Sequence, residues 1–368
     1  MKQNEMVKNF KIVHVVQHLA PGGIETLALD LIRFAASNAQ VLVLSLEGEK
    51  QQAIANWPKL KAFSDNIMFL EKKSGVQPDI VLTLAKIFST IKPDTVHTHH
   101  IGPLLYAGAA ALISGVPCRI HTEHDVWHLS NKKHVKIQKM ALKAVKPVLV
   151  GDADYVSKAL KSQFDYHNTV TIKNGIDCEK FRPGCQKNAR LKFGLPLSAR
   201  IIGCAGRIEK VKGQDVMIKA LSRLPAHVTL AIAGHGSEVD NLKSLAKKLA
   251  VEDRVIFLGL VEDMASFYQA LDLFCLPSRM EGFPLSSLEA QACNIRAVVS
   301  DVGACKETLC PKTGKHFEVN NSAELAEIIF ETLETPLAFL PREFVLGQHD
   351  VRHMVDAYQS IMSEALSC

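Results

Sequence analysis

Strand-like runs and helical patterns alternate along the whole chain, and this alternation constrains the fold more than any other feature. The strand-like runs are mainly apolar and show no alternation of apolar and polar residues, as in KIVHVV (Lys11–Val16) and QVLVLSL (Gln40–Leu46). Strands without a polar face are buried on both sides, and strands separated by helices pair in parallel. The pattern therefore predicts an α/β protein built on parallel sheets.

The strand-like runs form two series, which predicts two doubly wound, Rossmann-like domains. The second series starts near Arg200, after the Pro- and Gly-containing segment Phe181–Leu197, which we interpret as the linker. We place the first domain at residues 1–185, the second at 186–346, and a helix that packs back on the first domain at 347–368. Ligands bind at the carboxyl ends of such strands, so we expect the domains to face each other across a cleft that holds the site.

Composition excludes several classes of protein. A length of 368 residues with 47% hydrophobic and 22% charged residues is typical of a globular protein with two cores. The first residues, MKQNEMVKNF, lack the apolar core of a signal peptide, so we expect a cytoplasmic protein. The net charge of +5 is too small for a dedicated nucleic-acid binder. The nine cysteines include no CxxC pair, which disfavours disulfides and zinc knuckles.

The segment Glu281–Glu289 (EGFPLSSLE) carries the strongest chemical signal. It follows an apolar strand and leads into a helix, so backbone N–H groups and the helix dipole favour an anion such as phosphate. Glu281, in the loop, is suited to accept hydrogen bonds from sugar hydroxyls, and Glu289 to hold both hydroxyls of a ribose. An alternative stays open, because Ser286 and Glu289 also fit a capping box that only closes the helix.

A second signal is the cationic loop GRIEKVKG (Gly206–Gly213). Arg207 and Lys212 are cations at a point where a loop enters a helix, and such cations stabilise a departing diphosphate without a metal. The alternative is a solvated Lys/Glu helix start, which accounts for Glu209 and Lys210.

Glycines follow two further strands. Gly234 and Gly236 flank a histidine, which fits either close approach of a nucleotide or a tight turn. Gly22 and Gly23 open the first helix and allow a ligand to approach the backbone. Their pattern is not Gly-x-Gly-x-x-Gly, and no acidic residue ends the second strand, which disfavours a nicotinamide-dependent dehydrogenase.

Histidines gather at the ends of two strands, in VHTHH (His97, His99, His100) and HTEHD (His121, His124). A metal site is one interpretation, but the spacing is strand-like and no helical His-x-x-x-His pair supports it. Hydrogen bonding to sugar hydroxyls or to a reacting oxygen is the other. His97 and His99 share one face of a strand, and we expect at least one of them to be structural.

The segment Asn131–Lys146 carries six lysines and no acid. The usual explanation is a solvated helix face, and the alternative is contact with an anionic membrane surface through Lys132–Lys146.

Together these motifs resemble glycosyltransferase family four, whose fold is GT-B. The resemblance spans nearly the whole chain, from APGGIET through the histidine segments, the Asn174–Asp177 segment (NGID), FRP, GRIEKVKG and AGHG to EGFPLSSLE. It implies a retaining, metal-independent transferase that moves a hexose or N-acetylhexosamine from a UDP-sugar or GDP-sugar. The implied acceptor is a glycan or lipid-linked molecule in cell-envelope polysaccharide synthesis.

The resemblance also implies roles for individual residues. Glu289 would bind the donor ribose, and Arg207 and Lys212 the diphosphate. His124 would contact the sugar near its reacting face. Glu281 would hold the donor sugar and, with His124, Arg207 and Lys212, complete the catalytic set. The remaining donor-binding residues would be Phe283, Pro284, Leu285, Gly234 and Gly236, and the acceptor-side residues Gly22, Gly23 and His99. Two other functions on this architecture stay open: a nucleotide-sugar epimerase or phosphorylase, and a non-catalytic nucleotide-sugar binding protein.

Overall fold

The computed structural model describes residues 10–367, which form two compact units. One contains the chain up to Asn174 together with the segment from Val351 onward, and the other is Gly175–Asp350. The observed divisions therefore fall after Asn174 and Asp350. From the sequence we placed them after residues 185 and 346. The expectation about the first nine residues lies outside the part of the chain that the structure describes.

The first unit contains a sheet of seven parallel strands, in the order β3-β2-β1-β4-β5-β6-β7. The strands are β1 (Phe10–Val16), β2 (Ala39–Ser45), β3 (Ile67–Phe69), β4 (Thr95–His99), β5 (Cys118–Glu123), β6 (Val148–Gly151) and β7 (Thr169–Thr171). The chain winds outward in both directions from the neighbours β1 and β4, so the strand order reverses between them. A crevice at such a reversal is where open α/β sheets bind ligands.

Helices connect these strands. They are α1 (Gly23–Arg33), α2 (Lys50–Asn56), α3 (Asp79–Ile91), α4 (Ile101–Pro103), α5 (Ala109–Ile113), α6 (Lys132–Val145) and α7 (Asp154–Phe164). A π-helical turn, Leu104–Gly108, joins α4 to α5, so residues 101–113 form one continuous helical segment with a local widening. Such widenings often occur at functional sites.

The last helix, Val351–Ser367, completes the core of the first unit. Its apolar face packs with residues of the sheet, including Ile12 and Ile120. The Tyr358 hydroxyl lies 3.0 Å from Thr122 Oγ1, and the Tyr358 ring centroid lies 4.8 Å from that of His97. The helical segment at the end of the chain is thus part of the first unit.

The second unit contains six parallel strands in the order β10-β9-β8-β11-β12-β13. They are β8 (Arg200–Ala205), β9 (Val228–Ala233), β10 (Val255–Gly259), β11 (Leu273–Leu276), β12 (Ala297–Ser300) and β13 (Lys315–Phe317). The helices are α8 (Gln186–Lys192), α9 (Gln214–Leu221), α10 (Val239–Lys248), α11 (Met264–Gln269), α12 (Leu285–Ala292), α13 (Ser322–Glu334) and α14 (Pro341–Gln348), and Val351–Ser367 is α15. Here the strand order reverses between β8 and β11.

The segment interpreted as a linker is instead an integral part of the second unit. Its helix α8 carries Arg190, which is buried and donates to the carbonyl of Ala270 at 3.0 Å and to Asp272 Oδ2 at 2.7 Å. The Pro and Gly residues around α8 mark the ends of this helix rather than a flexible connection, because the Arg190 guanidinium ties α8 to the segment between α11 and β11.

Glycines allow two loops of the second unit to pack backbone against backbone. A Cβ on Gly234 would lie 1.9 Å from the carbonyl oxygen of Gly206, and one on Gly236 would lie 2.2 Å from that of Ile208. The amide of Ile208 also donates to the carbonyl of His235 at 2.8 Å. The Gly-x-Gly pattern therefore holds the loop after β9 against the loop after β8.

We predict that Gly234→Ala destabilises the second unit by about 2 kcal/mol or more, because the added methyl group meets a carbonyl and φ is +140°. Chemical unfolding followed by circular dichroism measures the change. Gly347→Ala is the matched control: it lies in α14 with nothing within 4 Å of the added Cβ. Helix propensity predicts that the control is neutral or stabilising by about 0.5–1 kcal/mol. Equal effects of the two substitutions would refute the packing role of Gly234.

Candidate functional site

Two loops of the second unit meet at the carboxyl ends of β8 and β11, where the strand order reverses. The Arg279 amide donates to the Val211 carbonyl at 2.8 Å, which ties the loop after β11 to the loop after β8. Gly213 has a φ of +68°, and a Cβ on it would lie 2.1 Å from the Pro277 carbonyl oxygen. Only glycine permits both this conformation and this approach. Two motifs far apart in the sequence are thereby brought together.

An ion pair joins the two motifs. Lys212 Nζ lies 2.7 Å from Glu281 Oε1, with side chains 22% and 9% exposed. The buried Ser278 hydroxyl donates to the same oxygen at 2.6 Å. Glu281 Oε2 has no hydrogen-bond partner among the described residues, so one oxygen of this carboxylate is fixed by the protein while the other is available to a ligand.

Gly303 packs closely against the backbone of Glu281. Its φ is +53°, and a Cβ there would lie 2.0 Å from the Glu281 carbonyl oxygen. The amide of Ala304 donates to the Gly282 carbonyl at 3.1 Å. The segment before Cys305 therefore positions the loop that carries Glu281.

The capping-box interpretation of Glu289 is wrong. Helix α12 begins at Leu285 with Pro284 as its N-cap, so Ser286 lies inside the helix and does not cap it. Glu289 Oε2 instead accepts a hydrogen bond of 2.7 Å from the buried Tyr268 hydroxyl. Burial and the neighbouring Glu289 raise the pKa of Tyr268, so the phenol remains a donor that orients this carboxylate.

Arg207 lies at the edge of this site. Its side chain is exposed, and its guanidinium forms no ion pair with any residue in the described range. Its carbonyl accepts from Gln214 Nε2 at 3.0 Å, which holds the backbone in place while the side chain is exposed to solvent. An arginine placed in this way can move onto an anionic ligand without first breaking an ion pair.

The other residues expected near the donor are buried or partly buried. Phe283 is buried, with its ring centroid 5.6 Å from that of His349. Gly234 and Gly236 mediate the loop packing described above. Their contact with a ligand stays a prediction, as does that of Pro284 and Leu285 at the start of α12.

In the first unit, four side chains form a buried hydrogen-bonded chain. His124 Nδ1 lies 3.2 Å from Asp152 Oδ2, and His124 Nε2 lies 3.1 Å from His99 Nδ1. His99 Nε2 in turn lies 3.4 Å from His14 Nδ1. Asn174 Nδ2 donates to Asp152 Oδ2 at 2.8 Å, so that oxygen is an acceptor and His124 Nδ1 carries a hydrogen. His99 is therefore a buried residue in the middle of this row of hydrogen-bonded side chains rather than a surface group.

The possible metal ligands His14, His97 and His99 have nitrogen atoms within 4.8 Å of one another. The rings of His97 and His99 are stacked, with centroids 4.2 Å apart, whereas a metal lies in the plane of each imidazole that binds it. Burial lowers the pKa of His14 to about 3 and also lowers the pKa values of His97 and His99. The geometry thus favours neutral, hydrogen-bonded imidazoles.

Gly22 and Gly23 are exposed at the start of α1, where the carboxylate of Glu25 lies close to Gly22. A Cβ on Gly22 would lie 2.2 Å from Glu25 Oε2, so this carboxylate folds over the first turn of its own helix. A carboxylate near a helix N-terminus is stabilised by the helix dipole. The acceptor-side role of the two glycines stays a prediction.

Helix α6 presents its lysines to solvent. All six lysines of Lys132–Lys146 are exposed, and none forms an ion pair within the described part of the chain. Two apolar side chains among these lysines, Ile137 and Met140, are 44% and 64% exposed. Across residues 10–367, no helix has the length and apolar character needed to span a membrane.

Sequence reasoning missed several residues that build these sites. Ser278 and Tyr268 hold the two glutamates, and Asp152 holds His124. Ser278 lies only three residues before Glu281, so a search of the flanking sequence could have found it. Tyr268 and Asp152 carry no local signal, because their partners lie 21 and 28 residues away in the chain.

Comparisons with known proteins agree with this geometry. Residues 21–180 match the model of glycosyltransferase family 4, and residues 186–343 match that of glycosyl transferases group 1. The D-inositol 3-phosphate glycosyltransferase of Mycolicibacterium smegmatis is 34% identical over 301 residues, covering 74% of this chain and 68% of that protein. The GDP-mannose-dependent monoacylated α-(1-6)-phosphatidylinositol monomannoside mannosyltransferase of Corynebacterium glutamicum is 30% identical over 310 residues, or 79% of each chain.

Solved structures share the fold. The Anabaena protein HepE, in complex with UDP and glucose, superposes with a TM-score of 0.84 at 20% identity, covering 96% of this chain and all of HepE. A glycosyltransferase from Rickettsia africae has a TM-score of 0.82 at 22% identity, covering 97% and 99%. With two units of parallel α/β structure and relatives at these levels of identity, the chain belongs to glycosyltransferase family four and is a hexosyltransferase with the GT-B fold.

Proposed function

We propose that the protein is a retaining, metal-independent glycosyltransferase that takes a hexose or N-acetylhexosamine from a UDP-sugar or GDP-sugar. The donor binds to the second unit through the loops after β8 and β11 and the start of α12. The ion pair between Lys212 and Glu281 carries the proposal, because it joins a cation suited to a diphosphate and a carboxylate suited to a sugar at the reversal of strand order.

The ion pair can persist when a donor is bound. A lysine ammonium has three N–H donors, so Lys212 can bond to Glu281 and to phosphate oxygens at once. Glu281 keeps Oε2 for a hydroxyl of the donor sugar, since Ser278 and Lys212 both use Oε1. Arg207 adds a second cation on the diphosphate, and Glu289, oriented by Tyr268, accepts from the ribose hydroxyls.

The proposed reaction exchanges one bond at the anomeric carbon. The bond between that carbon and the phosphate oxygen breaks, and the electron pair leaves with the nucleoside diphosphate. The acceptor hydroxyl oxygen attacks from the same face, and its proton passes to the departing phosphate oxygen. Arg207 and Lys212 stabilise the charge that develops on the diphosphate. His124, held by Asp152, is proposed to contact the donor sugar near its reacting face.

The names of two relatives support a proposal for the class of acceptor. One is named for D-inositol 3-phosphate and another for a phosphatidylinositol monomannoside, and HepE was solved with UDP and glucose. We therefore extend the proposal to a hydroxyl of a polyol phosphate or a lipid-linked glycan, used in synthesis of the cell envelope. Family membership favours transfer over epimerisation, phosphorolysis or mere binding, and turnover with an acceptor is the test.

Helix α6 supports action at a membrane surface on the cytoplasmic side. Lysines 133, 136 and 143 lie on the same face as the exposed Ile137 and Met140, by spacings of three and four residues. Cations around exposed apolar side chains suit an anionic bilayer, where each lysine near the surface contributes about 1 kcal/mol. Asn131 caps the helix by accepting from the Lys133 amide at 3.0 Å, so the face is preformed.

Arg207→Gln is expected to weaken binding of UDP or GDP by about tenfold to a hundredfold, since a charge-assisted hydrogen bond contributes about 1.5–3 kcal/mol. Binding of the nucleoside alone should not change, because it lacks the diphosphate. Glu289→Gln should weaken both the nucleoside and the diphosphate. Titration calorimetry measures these affinities, with the exposed Arg223→Gln as control. An unchanged UDP and GDP affinity in Arg207→Gln would remove the diphosphate role.

Glu281→Gln should separate the sugar from the nucleotide. The change leaves Lys212 free for phosphate, so we expect affinity for the nucleoside diphosphate to be equal or higher. The extra affinity conferred by the sugar should fall by about tenfold, the value of one hydrogen bond to a carboxylate. Melting-temperature shifts with the diphosphate and its sugar conjugate give both quantities. Ser278→Ala keeps the carboxylate but removes one of its hydrogen bonds. The extra affinity that the sugar confers on this variant should therefore lie between the values for wild type and Glu281→Gln. A loss confined to the diphosphate would contradict the assignment.

The triple change of lysines 133, 136 and 143 to glutamine should reduce partition onto vesicles rich in phosphatidylglycerol by about a hundredfold, at about 1 kcal/mol for each charge. Binding should also fall with ionic strength. The control changes three exposed lysines of α10 in the same way: 243, 247 and 248. Co-sedimentation that ignores the anionic lipid content, or that falls equally in the control, would reject the membrane proposal.

A further inference from the structure

His100 has a backbone conformation that is nearly confined to glycine. Its φ is 68° and its ψ is 166°. Other non-glycine residues with positive φ, such as Lys92 and Lys146, have ψ values of 62° and 50° and end helices in the ordinary left-handed region. A residue in the region of His100 costs about 1–3 kcal/mol, and such strain persists mainly where a site requires it.

The strain lets His100 belong to two elements at once. Its amide donates to the Thr122 carbonyl at 3.0 Å, which extends the pairing of β4 with β5. Its carbonyl accepts from the Leu104 amide at 3.3 Å, which begins the helical segment after the strand. A glycine would make both bonds without strain, so the backbone alone does not explain a histidine here.

The His100 ring is held from one side by a buried carboxylate. Its Nδ1 lies 3.3 Å from Glu123 Oε2, and the Glu123 side chain has no exposed surface while that of His100 is 29% exposed. Glu123 Oε1 accepts from Gln138 at 2.6 Å and from His121 at 2.9 Å, so the carboxylate is itself fixed. His100 Nδ1 therefore carries a hydrogen, and Nε2 is left toward the exposed side with no hydrogen-bond partner among residues 10–367.

Neighbouring carboxylates govern the pKa of the His100 ring. Burial by itself lowers the pKa of His100, but the hydrogen bond and charge of Glu123, with Asp125 and Asp152, outweigh burial and raise it. The His124 ring packs edge-on, with centroids 5.2 Å apart. His100 thus lies beside the residue proposed to contact the donor sugar.

The position of His100 in the sheet completes the argument. It directly follows β4, whose neighbour β1 lies across the reversal of strand order where open α/β sheets bind ligands. The residue after β1, Gln17, reaches the same place, because a Cβ on Gly102 would lie 2.2 Å from its Oε1. Gln17 donates to Glu47, which follows β2, so the edge of the sheet is a polar, ordered surface.

The geometry points to His100 as a specificity-determining residue of the first unit, whose Nε2 hydrogen-bonds a hydroxyl of the acceptor other than the attacking one. This inference rests on the proposed function. The role fixes the orientation of a polyol or sugar acceptor, and no covalent step passes through the ring. Glu123 acts through His100 as a positioning residue.

Transfer to D-inositol 3-phosphate and to its monodeoxy analogues tests the inference. His100→Phe keeps a ring but removes Nε2, and we expect KM for the acceptor to rise about tenfold, the value of one hydrogen bond, with kcat changed less than threefold. One deoxy analogue should be used equally well by wild type and variant, because it lacks the hydroxyl that His100 contacts. The donor-induced melting shift and release of nucleoside diphosphate without acceptor should stay within twofold. His167→Phe, at an exposed loop position, is the control.

An unchanged acceptor KM in His100→Phe would overturn the inference. It would also be overturned if His100→Phe raised KM by the same factor for every deoxy analogue as for the parent acceptor, because no single hydroxyl would then depend on His100. A wild type that consumes donor but neither transfers to these polyols nor shows a shift of the His100 imidazole NMR signal in their presence would also overturn it. Failure of the proposed function looks different: no nucleotide-sugar would raise the melting temperature or be consumed, whatever residue stands at position 100.

Discussion

The contact between Gly213 and Pro277 is the constraint on which the donor site depends. A Cβ atom added to Gly213, in the loop after β8, would lie only 2.1 Å from the carbonyl oxygen of Pro277, which begins the loop after β11. The two loops can approach this closely because residue 213 has no side chain. Lys212 directly precedes this glycine, and Glu281 follows the proline by four residues, so the two charges meet because the backbones do. Gly303 packs closely against the Glu281 backbone as well. The ion pair is a consequence of glycine packing rather than its cause.

The two units use the same principle with different side chains. In each sheet the strand order reverses between the first strand and a later neighbour, and the loops at that reversal carry the polar groups. The second unit presents cations and carboxylates for a charged donor. The first presents imidazoles that buried carboxylates hold in place, and the ring nitrogens of such imidazoles can hydrogen-bond hydroxyl groups. This contrast fits a charged donor and a hydroxyl-bearing acceptor.

Sequence reasoning recovered the long, apolar strands and the loops that follow them, because burial on both faces leaves a continuous apolar run. It missed β3 and β13, which have three residues each at sheet edges and show no period. It placed Arg207, Lys212, Glu281 and Glu289 through their motifs, but could not foresee that Lys212 and Glu281 pair. Local pattern also suggested a cap for Glu289, whereas a tyrosine from α11 holds it. Contacts between distant segments are set by packing, which one sequence does not display.

The path of the chain sets the order in which the units can be completed during synthesis. The chain leaves the first unit at Asn174 and returns at Val351, after the whole second unit. Tyr358 and its neighbours in α15 then cover part of the first sheet and reach Thr122. On the ribosome the second unit can therefore close while the first still exposes apolar strands. The first unit, although it is translated first, is the last to be sealed.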